Sequence, residues 1–282
     1  REGYHVPGLS YLLSIPDYAN LGFSPLAGDF SGTSQGADNG LVRQWLASGP
    51  PEPFFLWHHF AVVHLPYNPP QPWRNRFMRD NAPSTEFLLK IQTVPVYRKS
   101  EMLAEPEPFQ RTALEDLYDA EMAYQDSLLG DFLEAVRASG VLDRSLLIIT
   151  ADHGEELLEH GFVGHASTSL AGTLYEELVR IPLIIRFPEG RFRGVVADPV
   201  SQVDIMPTVL DYLGIDTPPE TQGRSLMPLI SGETTAANQP LYQETTTCGY
   251  QCPEGDEPPY LSSTLLWPWK LISTRRGFEE TF

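Results

Sequence analysis

The segment LLIITADHGEELLEHGFVGHAST, residues 146–168, decides how the rest of the chain is interpreted. An apolar run leads directly into Asp152, His153 and Gly154, and acidic residues and two more histidines follow. Such a run predicts a strand that is buried on both faces, as in a parallel sheet. In parallel α/β sheets, ligands gather beyond the carboxyl ends of the strands, so this turn is the first candidate site.

Two interpretations of the turn after this strand stay open. A carboxylate and a neutral imidazole side by side, Asp152 and His153, are sensible ligands for a divalent cation. Gly154 lets the backbone turn tightly beside them. Alternatively, Asp152 caps a following helix, with Glu155 and Glu156 in a first turn that the helix dipole favours.

A second candidate is His64, which ends another apolar run, residues 54–64, and precedes a proline-rich loop. A histidine at such a place could donate a hydrogen bond to an anionic substrate or protonate a leaving group. His58 and His59 alternate along the same run, and for these two we favour packing in the core.

The third candidate lies in the loop that follows the Asp-His pair. His160 and His165 both occur there, and either could be a surface residue. His165 is the better candidate for a pocket, because Gly164 and small residues beside it leave room for a ligand.

Composition limits the classes of protein to consider. A chain of 282 residues with 41% apolar residues can form one large α/β unit, or one unit and a subdomain. The net charge of −18 argues against general nucleic-acid binding and against an anionic membrane surface. A small anionic substrate remains compatible with that charge, because a local metal ion can reverse the sign inside one pocket.

The sequence carries no signal for a membrane span or for the common nucleotide and esterase motifs. No apolar run approaches the ~18 residues needed to cross a bilayer, and no signal peptide is visible. A phosphate-binding glycine-rich loop, a Gly-x-Ser-x-Gly elbow and a dinucleotide fingerprint are all missing. Cys248 and Cys252 predict a disulfide across a small loop in an oxidising compartment, with two free thiols as the alternative.

Strands and helices alternate along the chain, which predicts an α/β fold with a mainly parallel central sheet. The first domain would span residues 1–235, and a smaller, antiparallel subdomain would begin within 236–282, where LLWPWKLIST is a predicted strand. Apolar residues at intervals of seven and four predict the long helix, which Gly140 would end. The predicted elements of the first domain are strands at 54–64, 145–150 and 181–187 and helices at 107–139 and 203–215, the last capped by Asp204 and ended by Gly214.

Five blocks in this order resemble the sulfatase family of the alkaline-phosphatase superfamily. The resemblance begins at the strand that ends in His-Leu-Pro-Tyr and includes the long helix with the Asp-His-Gly-Glu turn. WKLIST is similar to the strand that opens the family's C-terminal subdomain. The five blocks are PFFLWHHFAVVHLPYNPP, LYDAEMAYQDSLLGDFLEAVRASGVLDRSLLIITADHGEELLEHG, LYEELVRIPLIIRFP, VDIMPTVLDYLGI and QGRSLMPLISG.

The resemblance implies a sulfuric ester hydrolase with an alkaline-phosphatase-like fold, its central sheet sandwiched by helices. It implies one divalent cation, with Ca²⁺ expected and Mg²⁺ or Mn²⁺ as alternatives, held by Asp152 and His153. His64 would contact the sulfate or the leaving oxygen, and the substrate would be a small-molecule or glycan sulfate ester. The implied nucleophile is a hydrated formylglycine, and the implied location is periplasmic or secreted.

Two departures from the family pattern matter. The nucleophile motif, Cys or Ser followed by x-Pro-x-Arg, and the Asp-Asp pair that completes the metal site do not occur in these residues. We therefore expect an internal fragment whose formylglycine lies upstream. Relatives have Lys or His a few residues before the Leu-Tyr-Glu block, where this chain has Leu170 and Ala171. Either His165 takes over that catalytic role or the substrate-binding set differs.

Two other functions remain open from the sequence. A phosphodiesterase, phosphonate monoester hydrolase or phosphoglycerol transferase of the same superfamily would share the Asp-His ending, and sulfate and phosphate esters are tetrahedral anions of similar size. A non-catalytic relative could keep the fold and bind a ligand or partner. The identity of the nucleophile would discriminate among them, and the sequence does not predict an oligomeric state.

Overall fold

The structure is a computed structural model and describes residues 5–9, 23–25, 39–65, 67–78, 108–160, 163–165, 173–234, 239–246, 260–274 and 277–280. The chain divides into two compact units. Unit 1 consists of Arg1–Ser145 and Leu157–Gly164, and unit 2 of Leu146–Glu156 and His165–Phe282. The predicted boundary at residue 235 stays a prediction.

Unit 1 contains a small parallel sheet in which β1 is central, between β2 and β3. Gly8 of β1 faces Pro25 on one side and Trp57 on the other. The apolar run 54–64 was expected to be one long strand, but its ladder is short, with a further bridge between Phe54 and His5. The strands are β1 (Pro7–Leu9), β2 (Ser24–Pro25) and β3 (Trp57–His58).

The long helix of unit 1 agrees with the prediction to within one residue at each end. Leu114 and Leu117 on its inner face have no solvent exposure, and neither has Tyr67 from the His-Leu-Pro-Tyr segment. These three side chains belong to one apolar cluster, so the helix fixes the segment that follows His64. The helices of unit 1 are α1 (Asn39–Ala47), α2 (Trp73–Phe77) and α3 (Pro108–Ala138).

His58 makes packing contacts within unit 1, as the sequence predicted. Its Nε2 lies 3.1 Å from Oδ1 of Asn39, and the side-chain Nδ2 of Asn39 donates to the carbonyl of Leu128 in α3 over 2.7 Å. The imidazole also packs against the ring of Phe132, with ring centroids 5.1 Å apart. These contacts attach β3 and α1 to the long helix.

In unit 2, two predicted strands pair with each other, but antiparallel. Leu147 faces Arg186 and Thr150 faces Leu183. The apolar pattern predicted both strands but not their direction, because an apolar strand has the same composition in either orientation. The predicted burial on both faces is wrong for these residues: Thr150 is exposed, its neighbours in the strand are half-buried, and Ile184 is 57% exposed. The next elements in chain order are β4 (Leu147–Thr150), β5 (Glu156–Leu157), β6 (Val163–Gly164), α4 (Glu176–Val179) and β7 (Leu183–Arg186).

The predicted helix at 203–215 forms as a 3₁₀ turn, Gln202–Asp204, followed by α5, Ile205–Leu213. Gly214 ends it with a left-handed backbone, φ 68°. The predicted cap differs in detail, because Ser201 and Asp204 form a reciprocal capping box in which Asp204 is the third helical residue. Asp204 Oδ2 accepts from the Ser201 amide over 3.0 Å.

The QGRSLMPL segment packs on the start of α5. Asp204 Oδ1 accepts from the Arg224 amide over 3.0 Å, and Thr208 Oγ1 accepts from the Leu226 amide over 2.8 Å. A Cβ at Gly223 would lie 1.9 Å from the carbonyl oxygen of Val203, so only glycine permits this approach. A short helix, α6 (Met227–Ile230), follows.

The described C-terminal residues form a four-stranded antiparallel sheet, as predicted for this part of the chain, and the sheet belongs to unit 2. LLWPWKLIST contributes to two strands, with a turn at Trp267-Pro268, where one strand was expected. Leu261 and Ile272 on the inner face pack on Leu174 just before α4. In spatial order the strands are β11 (Gly277–Glu280), β10 (Trp269–Thr274), β9 (Tyr260–Leu266) and β8 (Leu241–Thr246).

Some sequence-based predictions concern residues that cannot be compared with the structure. Cys248, Cys252, Leu170 and Ala171 lie outside the described residues. Among the helices that are described, none is both long enough and apolar enough to cross a bilayer.

Candidate functional site

The turn that leaves β4 does not begin a helix. Asp152 is followed by irregular backbone and then by the short strand β5. The interpretation of Asp152 as a helix cap is therefore wrong. Its Oδ1 accepts from the amide of His153 over 3.1 Å, and Gln202 Nε2 donates to the carbonyl of Ala151 over 2.6 Å. These bonds fix the turn on two sides.

Gly154 seats the same turn against α4. Its amide donates to the carbonyl of Leu178 over 2.8 Å. A Cβ at this position would lie 1.9 Å from the carbonyl oxygen of Glu177, far inside van der Waals contact. The glycine is thus required by the close approach of two backbones, and it holds its neighbour His153 in place.

His153 presents one ring nitrogen for ligation. Its Nδ1 lies 2.9 Å from the carbonyl oxygen of Gly154, which can only accept, so Nδ1 carries the proton in the neutral ring. The lone pair is then on Nε2, which lies 3.6 Å from Asp152 Oδ2. The side chains of His153 and Asp152 are 38% and 67% exposed, so both can reach a ligand from solvent.

His165, further along the chain, packs beside His153. Its ring lies against that of His153, with centroids 4.0 Å apart and an interplanar angle of 34°. Its Nδ1 is hydrogen bonded to Oε1 of Glu155, and these two side chains are only 8% and 6% exposed. The structure therefore brings two of the predicted site histidines together and adds a carboxylate.

Glu155 is the residue that sequence reasoning missed. The sequence offered it only as part of the first turn of a helix, in one of two alternatives, and that helix does not form. A carboxylate this deeply buried requires a partner, and burial is the signal that identifies it. One ligand atom each from His153, Glu155 and His165 lies within 4.8 Å of the others, a spacing that could hold a metal ion.

These donors fit some divalent ions better than others. Ca²⁺ takes six to eight oxygen ligands, whereas imidazole suits ions such as Zn²⁺ and Fe²⁺. The described cluster offers two imidazole nitrogens and one carboxylate, with Asp152 beside them. It can hold a divalent cation, but its donors are not those of an oxygen cage for Ca²⁺.

His64 lies in unit 1, apart in the chain from this cluster. Its Nδ1 is 2.6 Å from the carbonyl oxygen of Leu65. The loop beyond it is held by Glu121 of α3, whose Oε1 accepts from the amide of Asn68 over 2.7 Å. The His64 segment is therefore ordered by the long helix.

A cluster of histidines and carboxylates just after the end of a strand is typical of the active sites of α/β enzymes. A family model described as Sulfatase matches residues 36–215, more than half of the chain. The chain belongs to the sulfatase family.

Several relatives in this family are named sulfatases. Arylsulfatase K of Xenopus laevis is 29% identical over 252 residues, which cover 80% of this chain and 44% of the relative. N-acetylglucosamine-6-O-sulfatase of Bacteroides thetaiotaomicron is 35% identical over 117 residues, 41% of this chain and 20% of the relative. The chain thus spans less than half the length of these curated relatives.

Solved structures share the fold. The phosphonate monoester hydrolase of Silicibacter pomeroyi matches with a TM-score of 0.70 at 20% identity, covering 96% of this chain and 69% of that one. The structure of BT4656 in complex with its substrate D-glucosamine-2-N,6-O-disulfate matches with a TM-score of 0.57 at 18% identity, covering 82% of this chain and 58% of that one. The fold is therefore the α/β fold of these hydrolases.

Proposed function

We propose that this chain is part of a metal-dependent sulfuric ester hydrolase whose nucleophile is supplied from outside the chain. The observation that carries the proposal is the Sulfatase match over residues 36–215, which includes His64 and the whole cluster around His153. Relatives named arylsulfatase K and N-acetylglucosamine-6-O-sulfatase support a sulfate ester as the substrate class.

The histidines supply hydrogen-bond donors to the ester in this proposal. In this proposal Nε2 of His64, whose Nδ1 lies beside the carbonyl of Leu65, contacts the sulfate or protonates the leaving oxygen. His165 takes the second such position, where Glu155 fixes its orientation. Asp152 and His153 hold the divalent ion, which when bound polarises the ester and stabilises charge on its oxygens.

The finer features of the protein follow from the same proposal. The substrate is a small-molecule or glycan sulfate ester, and the formylglycine nucleophile lies upstream. The central sheet is mainly parallel in the whole protein, the C-terminal subdomain begins at residue 236, and the protein acts in the periplasm or outside the cell. The family resemblance implies Ca²⁺, with Mg²⁺ or Mn²⁺ as alternatives.

The test compares esters that differ only in the group transferred. The full-length protein, with its upstream residues, is assayed on one aryl sulfate and on the matched aryl phosphate and aryl phosphonate. We expect sulfate release to be fastest, and we expect the 282-residue chain alone to be inactive. Preferred turnover of the phosphonate would instead make the protein a phosphonate monoester hydrolase, and turnover of no ester would make it a non-catalytic relative.

A further inference from the structure

We propose that His153, Glu155 and His165 bind a divalent transition-metal ion of the Zn²⁺ or Co²⁺ type, and that these three donors prefer such an ion to Ca²⁺. The inference deepens the proposed function, because the ion lies at the proposed active site. Glu155 and His165 are not among the metal ligands that the family resemblance implies, and the ion that the resemblance leads us to expect is Ca²⁺.

The first support is the orientation of His153. A histidine that ligates a metal usually donates its other ring N–H to a carbonyl or carboxylate, which fixes the tautomer and the ring plane. Nδ1 of His153 makes this bond to Gly154, and Gly154 is itself held against α4. Nε2 is therefore fixed as a lone-pair donor before any ion arrives.

The second support is the burial of Glu155 and His165. Both side chains are more than nine-tenths buried, and their Oε1 and Nδ1 atoms are directed at each other beside the ring of His153. An ion bound here would take the place of the proton between them, and a neutral His165 ring coordinated through Nδ1 would carry its proton on Nε2.

Asp152 lies close enough to His153 to supply a further ligand to the ion. Its Oδ2 lies 3.6 Å from Nε2 of His153. Two ligands that share an ion with bonds of about 2.1 Å stand roughly 3 to 3.5 Å apart. Only a small movement of the exposed Asp152 side chain would therefore bring it into the same coordination shell.

The donor types decide the class of ion. Two imidazole nitrogens and one carboxylate form the set found in many transition-metal sites, often with open positions for water or substrate. Within the described part of this site, Ca²⁺ would find carboxylates from Asp152 and Glu155 and would need several more oxygens. The protein atoms present thus favour an ion that accepts nitrogen.

The experiment uses Co²⁺ as a spectroscopic probe of the chain after removal of metal with a chelator. We expect Co²⁺ to give visible absorption bands that shift from those of the hydrated ion, and we expect Zn²⁺ to displace it. Ca²⁺ at a hundredfold excess should leave the bands unchanged. Displacement by Ca²⁺, or the absence of Co²⁺ binding, would overturn the inference.

Matched variants assign the ligands. Glu155→Gln and His165→Gln should each weaken Co²⁺ binding by about tenfold or more. His160→Gln removes an exposed histidine from the same segment and should bind as the parent does. Unchanged affinity in Glu155→Gln, with binding lost in Asp152→Asn, would return the ion to the ligand pair that the family implies.

Folding and function can each be separated from this result. Circular dichroism checks that each variant folds. If Glu155→Gln fails to fold, Glu155→Asp is used instead, because it keeps the charge and should still shift the Co²⁺ absorption bands from those of the parent. Co²⁺ bands identical to those of the parent would contradict the proposal. Ester turnover by the full-length protein is measured independently. Turnover with Ca²⁺ but no Co²⁺ binding would refute this inference alone, whereas Co²⁺ binding without turnover would refute only the proposed function.

Discussion

At the scale of single residues, Glu121 shows how the protein holds the segment after His64 at an electrostatic cost. Its side chain is only 3% exposed, and burial raises its pKa from 4.5 to about 7. The Asn68 amide and the charge of Arg74 both lower this pKa, but burial dominates. The loop after His64 is thus anchored to a carboxyl that prefers to be protonated.

Glu121→Gln tests this cost through the pH dependence of stability. Because the folded-state pKa is raised, the folded chain binds the proton more tightly, and stability is lost as pH rises from about 4.5 through about 7. A glutamine keeps the acceptor for Asn68 and cannot ionise. Relative to the parent, the variant should therefore gain up to about 3 kcal/mol in the free energy of unfolding between pH 4.5 and 8.

Urea unfolding of the two proteins at several pH values measures this difference. Glu134→Gln is the control, since Glu134 lies on the same helix and its side chain is 64% exposed. A parent-to-variant difference that stays constant with pH would show that Glu121 does not titrate in this range.

His64 is the second residue for which a substitution gives a direct test. In the full-length protein, His64→Ala should slow turnover of an aryl sulfate by on the order of 10²- to 10⁴-fold, because a proton donor is removed from the ester. Steady-state kinetics measure the loss, and His160→Ala, at an exposed position, should retain parental rates. Equal rates for His64→Ala and the parent would exclude this role.

At the scale of elements, the packing of a turn against a short helix positions the candidate metal site. The turn after β4 approaches α4 so closely that the backbone at Gly154 bonds directly to Leu178. Lys270 of β10 forms an ion pair with Glu176 on the same helix, over 3.0 Å. A four-residue helix therefore supports both the site and the antiparallel sheet.

Gly154→Ala should disturb this packing strongly. The added methyl would lie 1.9 Å from the Glu177 carbonyl, so the turn or α4 must move, and we expect a loss of about 2 kcal/mol or more. Gly130→Ala in α3 is the matched control, because a Cβ there meets nothing within 4 Å and should stabilise the helix by about 0.5 to 1 kcal/mol. Thermal unfolding of both variants distinguishes the two effects; similar shifts would contradict the packing argument.

The sequence predicted those elements that a local pattern defines. The helix α3 follows from its apolar spacing and Gly140, and α5 follows from the turn at Gly214. The pairing of β4 with β7 could not be predicted, because strand direction depends on contacts between distant residues. The short ladder at β3 has the same cause, since an apolar composition does not specify which residues find partners.

The candidate site was predictable in part for the same reason. Asp152, His153 and His165 stand out by residue type beside a strand end and small neighbours. The meeting of His165 with Glu155 requires the chain to return after β6, and no spacing in the sequence reports that return. Only its burial in the structure identifies Glu155 as a candidate ligand.

At the scale of the whole molecule, the two compact units share the chain in alternating segments. Unit 1 contains residues up to Ser145 and then Leu157–Gly164, whereas Leu146–Glu156 belongs to unit 2. The cluster around His153 lies in unit 2 and His64 in unit 1. The predicted site residues are therefore distributed over both units.

This alternation has a consequence for biosynthesis. Unit 1 cannot gain its last segment, which includes the buried Leu158, until Gly164 has been translated. Leu146–Glu156 is synthesised before that segment, whereas the strand partner of β4 in β7 is synthesised after it. Domains generally fold as units during synthesis, so the nascent chain must carry the unpaired β4 strand and the Asp152-His153 turn until Arg186 emerges.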